Sequence, residues 1–260
     1  MYSKNLFLMF SVFCFLSSVL GCATEYNIAT QRQETLMFGT EKEIQLGYTL
    51  SRQYELKYKP TEDVALQTRI NDIGQRIAVV CDRKDLLYHF KVVDEKEVNA
   101  VSLPGGFVYV NKGLVENTAN DDELAGVLAH EVGHITAKHS IKKLQAMYGY
   151  TLLSILTAAT TNPDFKQGVD LAFLEILTGY SREDELLADK LAVKYTKKAG
   201  FKPEGIVSFL EKLKEIHQKE PLRPLSYWRT HPYLSQRIAV VKQEVFGQID
   251  FKDYLNLDKN

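Results

Sequence analysis

Apolar residues recur every three to four positions along most of this chain, and every second position along one short stretch. "GTEKEIQLGYTLSRQYELKY", from Gly39, has helical spacing with Thr40 as its cap. "PTEDVALQTRINDIGQRIAVV" repeats the signature: Thr61 is the cap, and Val64, Ile70, Ile73 and Ile77 supply the apolar positions. The texture then changes. In "LLYHFKVVDEKEVNAVSLPGGFVYVNKGLV", alternation and β-branched residues predict short strands near 87–93, 98–102 and 106–110. Pro104-Gly105-Gly106 marks a tight turn between the last two. Beyond it the pattern is helical almost to the end, which makes the fold class α+β and predominantly helical.

One helical stretch contains a contradiction. In "DELAGVLAHEVGHITAKH", at 100° per residue, Val127, Leu128 and Ile135 fall within about 60° of Leu124 and form a core-facing stripe. Glu131 lies at the centre of that stripe. Gly126, Ala129, Gly133 and Ala137 keep the opposite side small, so the helix is buried on most sides. An unpaired carboxylate there costs several kcal/mol.

A metal resolves the contradiction. His130 and His134 border the stripe about 40° apart, in the pattern H-E-x-x-H. Two imidazoles one turn apart can grip one Zn²⁺, and the glutamate between them can take a proton from water that the metal has made acidic. A catalytic zinc needs a third protein ligand. His139 is a poor one: extrapolated along the same helix it lies about 140° from His134 and reads as a solvated helix-end residue. Ser140 holds the place where a longer motif would have a third histidine.

The better candidate is in "GYSREDELLADKLAVKY", capped by Ser181. The face around Glu185 holds Arg182, Ala188, Asp189, Ala192 and Thr196, small enough for a close approach to the first helix. Glu185 is thus the expected third ligand. Asp189, one turn on, is placed to accept the free N–H of a liganding histidine. Glu183 points to solvent. Without H-E-x-x-H, the same segment reads better as a charged surface face.

Composition narrows the setting. A formal net charge of −1 offers no basic excess for nucleic acid. Residues 1–21 carry Lys4 and an apolar run, Leu6 to Leu20, of fifteen residues, short of the roughly 20 that span a bilayer. This reads as a secretory signal. Its ending, "VLGC", resembles a bacterial lipobox, which implies cleavage before Cys22 and lipidation of its sulfur. Residues 22–38 show little pattern and read as a tether, leaving residues 39–260 as a single domain. Cys81 is then the one unmodified cysteine, read as a small buried hydrophobe. "LLSILTAATT" and "LAFLEILTGY" are too short to cross a bilayer and read as core helices or as an apolar lip beside a cleft.

Taken in order, "LAHEVGH", "YSREDELLAD" and "THPYLSQRI" resemble the zinc peptidase family of the CAAX prenyl endopeptidases and HtpX, with a layout like its periplasmic LoiP-like and BepA-like lipoproteins. The resemblance runs from about Gly39 to Phe246. It implies a gluzincin-type domain with a small sheet beside the H-E-x-x-H helix. It also implies one Zn²⁺ on His130, His134 and Glu185, with Glu131 as general base and Asp189 behind the ligands. "NAVSLPGGFVYV" resembles the family's substrate-binding edge, which puts Asn99, Gly105 and Gly106 against an extended peptide. His231 and Arg237 match residues bordering the site, as oxyanion stabiliser or carboxylate partner; His231 could instead close over the metal. Leu187 stands where the family often has a second glutamate. The chain ends too soon after Phe246 for the helical-repeat domain of BepA-like members. The expected activity is cleavage of misfolded or unfolded envelope proteins, from a lipid anchor on the periplasmic face of the outer membrane and near the envelope assembly machinery. The rival is a non-proteolytic, zinc-binding assembly factor.

Overall fold

The computed structural model describes residues 23–158, 179–219 and 226–248. The signal segment, Cys22, most of "LAFLEILTGY" and the end of "LLSILTAATT" lie outside them. No helix among the described residues is long and apolar enough to cross a membrane.

The chain opens with an antiparallel hairpin, β1 (Ala23–Asn27) and β2 (Arg32–Leu36). Helices α1 (Thr40–Lys57) and α2 (Val64–Val80) follow. Strands β3 (His89–Val93), β4 (Ala100–Leu103) and β5 (Phe107–Asn111) form a sheet in the order β3-β5-β4. β3 is parallel to the central β5, and β4 is antiparallel to it, so β3 and β4 are the two edges. Then come α3 (Lys112–Asn117), α4 (Asp121–Thr136), α5 (His139–Ala158), α6 (Arg182–Lys198), α7 (Glu204–Lys219), α8 (Ser226–Thr230) and α9 (Leu234–Phe246). The strands lie where alternation predicts them, and the architecture is the expected helical α+β with a small sheet.

Helix α4 is the axis of the core. Asn120 caps it by accepting from the Glu123 N–H, and Asp121, Asp122 and Glu123 favour the positive end of its dipole. Nearly every residue from Glu123 to Thr136 is buried, against α2, α6, α7 and β4. A Cβ at Gly133 would lie 2.9 Å from the Ala188 carbonyl oxygen, so only glycine permits this approach of α6. The helix stops because Lys138 adopts a left-handed backbone, φ 60°, before α5 begins.

Local readings are corrected in four places. Gly39, not Thr40, is the N-cap of α1, and the Thr40 hydroxyl donates to Asp85 instead. Asp63, not Thr61, caps α2 by accepting from the Leu66 N–H. Residues 23–36, read as patternless, are the β1–β2 hairpin; Lys138 pairs with Glu25 and Lys142 with Glu34, both at 2.6 Å, tying it to the start of α5. Val64 is exposed, whereas Ile70, Ile73 and Ile77 are buried as expected. Cys81 is buried.

A buried ion pair links α1 to the end of α4. Arg83 grips both oxygens of Glu43, at 2.9 and 2.7 Å, and also donates to the Ile135 carbonyl. Glu43 in turn accepts the Gly105 N–H at 3.2 Å.

Candidate metal centre

Four side chains from three parts of the chain converge in the core: His130 and His134 of α4, Glu185 of α6, and His231 just after α8. All four are buried, and their ligand atoms lie within 4.8 Å of one another. His130 Nε2 is 3.0 Å from His134 Nε2 and 3.3 Å from His231 Nδ1. Glu185 reaches His130 Nε2 and His134 Nε2 at 3.4 Å and His231 Nδ1 at 3.1 Å. Tetrahedral bonds of 2.0–2.1 Å would space ligand atoms about 3.3 Å apart, so the donor set fits one small divalent ion. Imidazole and carboxylate are also the donor types that zinc takes.

Glu131 lies beside this cluster, fully buried. Its Oε1 is 3.3 Å from His231 Nε2, yet neither carboxylate oxygen makes a hydrogen bond to any described residue. A buried carboxylate without donors is costly, and its position next to the donor set is where a general base would stand.

The supporting shell is ionic. Asp189 Oδ1 is 2.8 Å from His130 Nδ1, as expected from one turn beyond Glu185. Arg237, from α9, donates to both Asp189 oxygens at 2.8 Å and sits 3.1 Å from Glu185 Oε2. Its guanidinium is thus held by carboxylates, and the oxyanion role is not the one its contacts suit. Burial would raise both carboxyls. Arg237 and then His130 outweigh it at Asp189, and His231 and Arg237 hold Glu185 well below the usual range. The two imidazoles diverge. Burial and Arg237 push His130 down, but Asp189 and Glu185 bring it up to about 9. Burial takes His134 down to about 3.

Of the other expected site residues, Asn99 lies at the head of β4. Its Oδ1 accepts the Ala100 N–H at 3.0 Å and the Thr230 hydroxyl at 3.1 Å, joining the edge strand to the segment that carries His231. Tyr227 fastens the same segment by donating its N–H to the Val98 carbonyl. Farther along the strand, the Ser140 hydroxyl donates to the Ser102 carbonyl. Gly105 and Gly106 do not fit the substrate role. Both are buried with positive φ, where Cβ atoms would strike Ile44 Cα at 2.9 Å and the Leu87 carbonyl at 2.3 Å. They are glycines because the turn packs tightly there, not because it lies open.

His139 is the clearest reversal. It is buried rather than solvated, with Nδ1 2.8 Å from His134 Nδ1 and Nε2 3.2 Å from Asp184 Oδ1. The angular extrapolation failed because α4 ends before Lys138, whose left-handed turn folds His139 back on His134. Two aromatic rings also escaped the sequence reading. Tyr180 stacks on His134 with centroids 3.9 Å apart, and Tyr227 stacks on His231 at 4.5 Å. The position of Tyr180 next to the Ser181 cap was the available hint.

The sequence is similar to those of known proteins. A model of peptidase family M48 matches residues 65–245. The beta-barrel assembly-enhancing protease of Escherichia coli (strain K12) is 26% identical over 223 residues, covering 82% of this chain and 45% of that protein. Mitochondrial metalloendopeptidase OMA1 of Schizosaccharomyces pombe is 28% identical over 174 residues, 67% of this chain and 51% of that protein. Metalloprotease YcaL of Escherichia coli (strain K12) is 29% identical over 161 residues, 60% of this chain and 62% of that protein. The chain thus spans about half the length of the curated relatives it matches.

Proposed function

This chain belongs to peptidase family M48, and we propose that it is a zinc-dependent endopeptidase that cuts unfolded or misfolded polypeptides in the cell envelope. The carrying observation is Glu131: a buried carboxylate without hydrogen-bond partners among the described residues, beside a His130, His134 and Glu185 donor set. A purely structural metal has no use for such a group.

His130, His134 and Glu185 would hold the ion. When bound, zinc supplies a Lewis acid that polarises a peptide carbonyl and acidifies a neighbouring water. Glu131 takes the proton of the attacking water on a carboxylate oxygen and hands it to the departing amine. Asp189 fixes the ring of His130, and Arg237 fixes Asp189. β4 is buried along its length, so an extended peptide would pair with its outer edge only after the Tyr227–His231 segment withdraws, and would then take over the Ala100 N–H from Asn99.

The name of one set of relatives, beta-barrel assembly-enhancing protease, supports a role connected with β-barrel assembly. The "VLGC" ending supports a lipid anchor at Cys22 on the periplasmic face of the outer membrane.

His231 favours a second state of the same enzyme. It supplies a fourth donor, and closed four-ligand sites are the structural kind, whereas catalytic sites keep one position open. In this reading His231 holds the site latent until it withdraws. The rival assembly factor without protease activity would also keep a closed site, but it leaves Glu131 unexplained.

The test is metal content together with digestion of an unfolded casein. Wild type should carry about one zinc and lose cleavage when a chelator removes it. Glu131→Gln should keep the metal and abolish cleavage. A wild-type protein that binds zinc yet never cleaves, even with His231 replaced, would favour the assembly factor.

A further inference from the structure

The two α4 imidazoles are supported differently. His130 turns Nδ1 directly to a buried carboxylate, Asp189. His134 turns Nδ1 to a second imidazole, and that imidazole turns to Asp184. We propose that His139 and Asp184 are positioning residues for the metal: they lock His134 in the tautomer that leaves its Nε2 lone pair facing the site. The inference rests on the reading of His134 as a metal ligand.

Proton counting gives the direction of the chain. His134 Nε2 faces His130 and Glu185, so a metal there requires the ring proton on Nδ1. That N–H is fully buried, and 2.8 Å away lies His139 Nδ1, which must therefore be the bare acceptor. The proton of a neutral His139 is then on Nε2, from where it is donated to Asp184 Oδ1, 3.2 Å away. Each link has one consistent orientation.

The far end is anchored. The Ser181 hydroxyl donates to Asp184 Oδ2 at 2.8 Å while accepting the Asp184 N–H at 3.2 Å, so the cap of α6 leaves Oδ1 for His139. Asp184 is one-third exposed, and His139 carries the polarity of that carboxylate inward past the left-handed Lys138. Tyr180, stacked on His134 and bonded through its hydroxyl to Ser140, keeps the ring plane in register with this chain. A partner of this kind orients a liganding imidazole and raises its basicity.

Long-range ¹H–¹⁵N spectra of the full chain read the tautomers directly, in zinc-loaded and in metal-free protein. The expected result is His139 protonated at Nε2 and His134 at Nδ1. Zinc affinity, measured by competition with a chromophoric chelator, should fall about 10–100-fold in His139→Ala. Asp184→Ala should show a smaller loss, with His139 tautomers mixed. Asp184→Asn, whose amide oxygen still accepts, should restore most of the affinity. A wild-type His139 protonated at Nδ1, or a folded His139→Ala that binds zinc like wild type, would overturn the proposal. If His139→Ala does not fold, the Asp184 pair and the wild-type spectra decide. Failure of wild type to bind zinc would refute the metal site itself, and the metal-free spectra would still judge the tautomer chain.

Discussion

Arg237 and Asp189 face each other as a two-pronged pair, both bonds 2.8 Å and both side chains buried, and the same Asp189 oxygen that meets Nη2 also meets His130 Nδ1. Removing one partner strands a charge in the core. Arg237→Ala is expected to lower the unfolding free energy by about 3–5 kcal/mol, read from denaturant midpoints of metal-free protein. Asp189→Asn should weaken zinc binding by about 10–100-fold. Unchanged stability in the first or unchanged affinity in the second would remove this pair from the site's support.

His231 is a fourth donor beside His130, His134 and Glu185, where a catalytic site would keep one position open. His231→Ala should leave zinc bound by His130, His134 and Glu185 and raise the rate of casein cleavage. A fall in kcat with KM unchanged would instead give His231 a part in the chemistry.

Glu43 and Arg83 are the second buried pair, and they hold the Gly105 turn and the last turn of α4 together. Glu43→Gln is expected to cost about 3–5 kcal/mol. The double change Glu43→Leu, Arg83→Met should recover a large part of that, since a hydrophobic replacement leaves no orphaned charge. Urea melts of the three proteins test both statements.

The histidines set opposing pH slopes in metal-free protein. His130, raised from 6.5 to about 9, contributes stability that is full below pH 6.5 and lost as pH climbs to 9. Burial holds His134 and His139 down at about 3, so the unfolded chain takes up protons that they refuse, and stability falls as pH drops below 6.5. Metal-free stability should therefore peak near pH 6.5. Zinc affinity should instead rise with pH, up to about tenfold per unit between 7 and 9, because the ion must displace the His130 proton. Denaturant midpoints with chelator, and zinc titrations, at three pH values check the two trends.

What the sequence revealed depended on how far each inference had to travel. His130, Glu131 and His134 lie within four residues on one helix, so a fixed angle per residue orders them correctly. Glu185 and Asp189 were legible for the same reason, and the small residues of α6 announced its close approach. His139 was lost at Lys138, a lysine in a conformation that no local pattern signals. The helix starts were misread by one or two residues because more than one residue in each stretch could cap. The hairpin went unseen because "ATEYN" and "RQETL" are mostly polar, and ion pairs to α5 hold it in place. The family resemblance put Gly105 and Gly106 against a substrate peptide, whereas the space beside them is filled by α1 and Leu87.

Edge strand β4 has a consequence for how the protein meets other polypeptides. A bare β edge is sticky toward any polypeptide, its own kind included. Here the Ala100 amide is stoppered by Asn99 and the Ser102 carbonyl by Ser140, and all four residues of the strand are buried, so neither group is left as an open valence. The same stoppers should keep neighbouring copies from stitching into ribbons at high concentration.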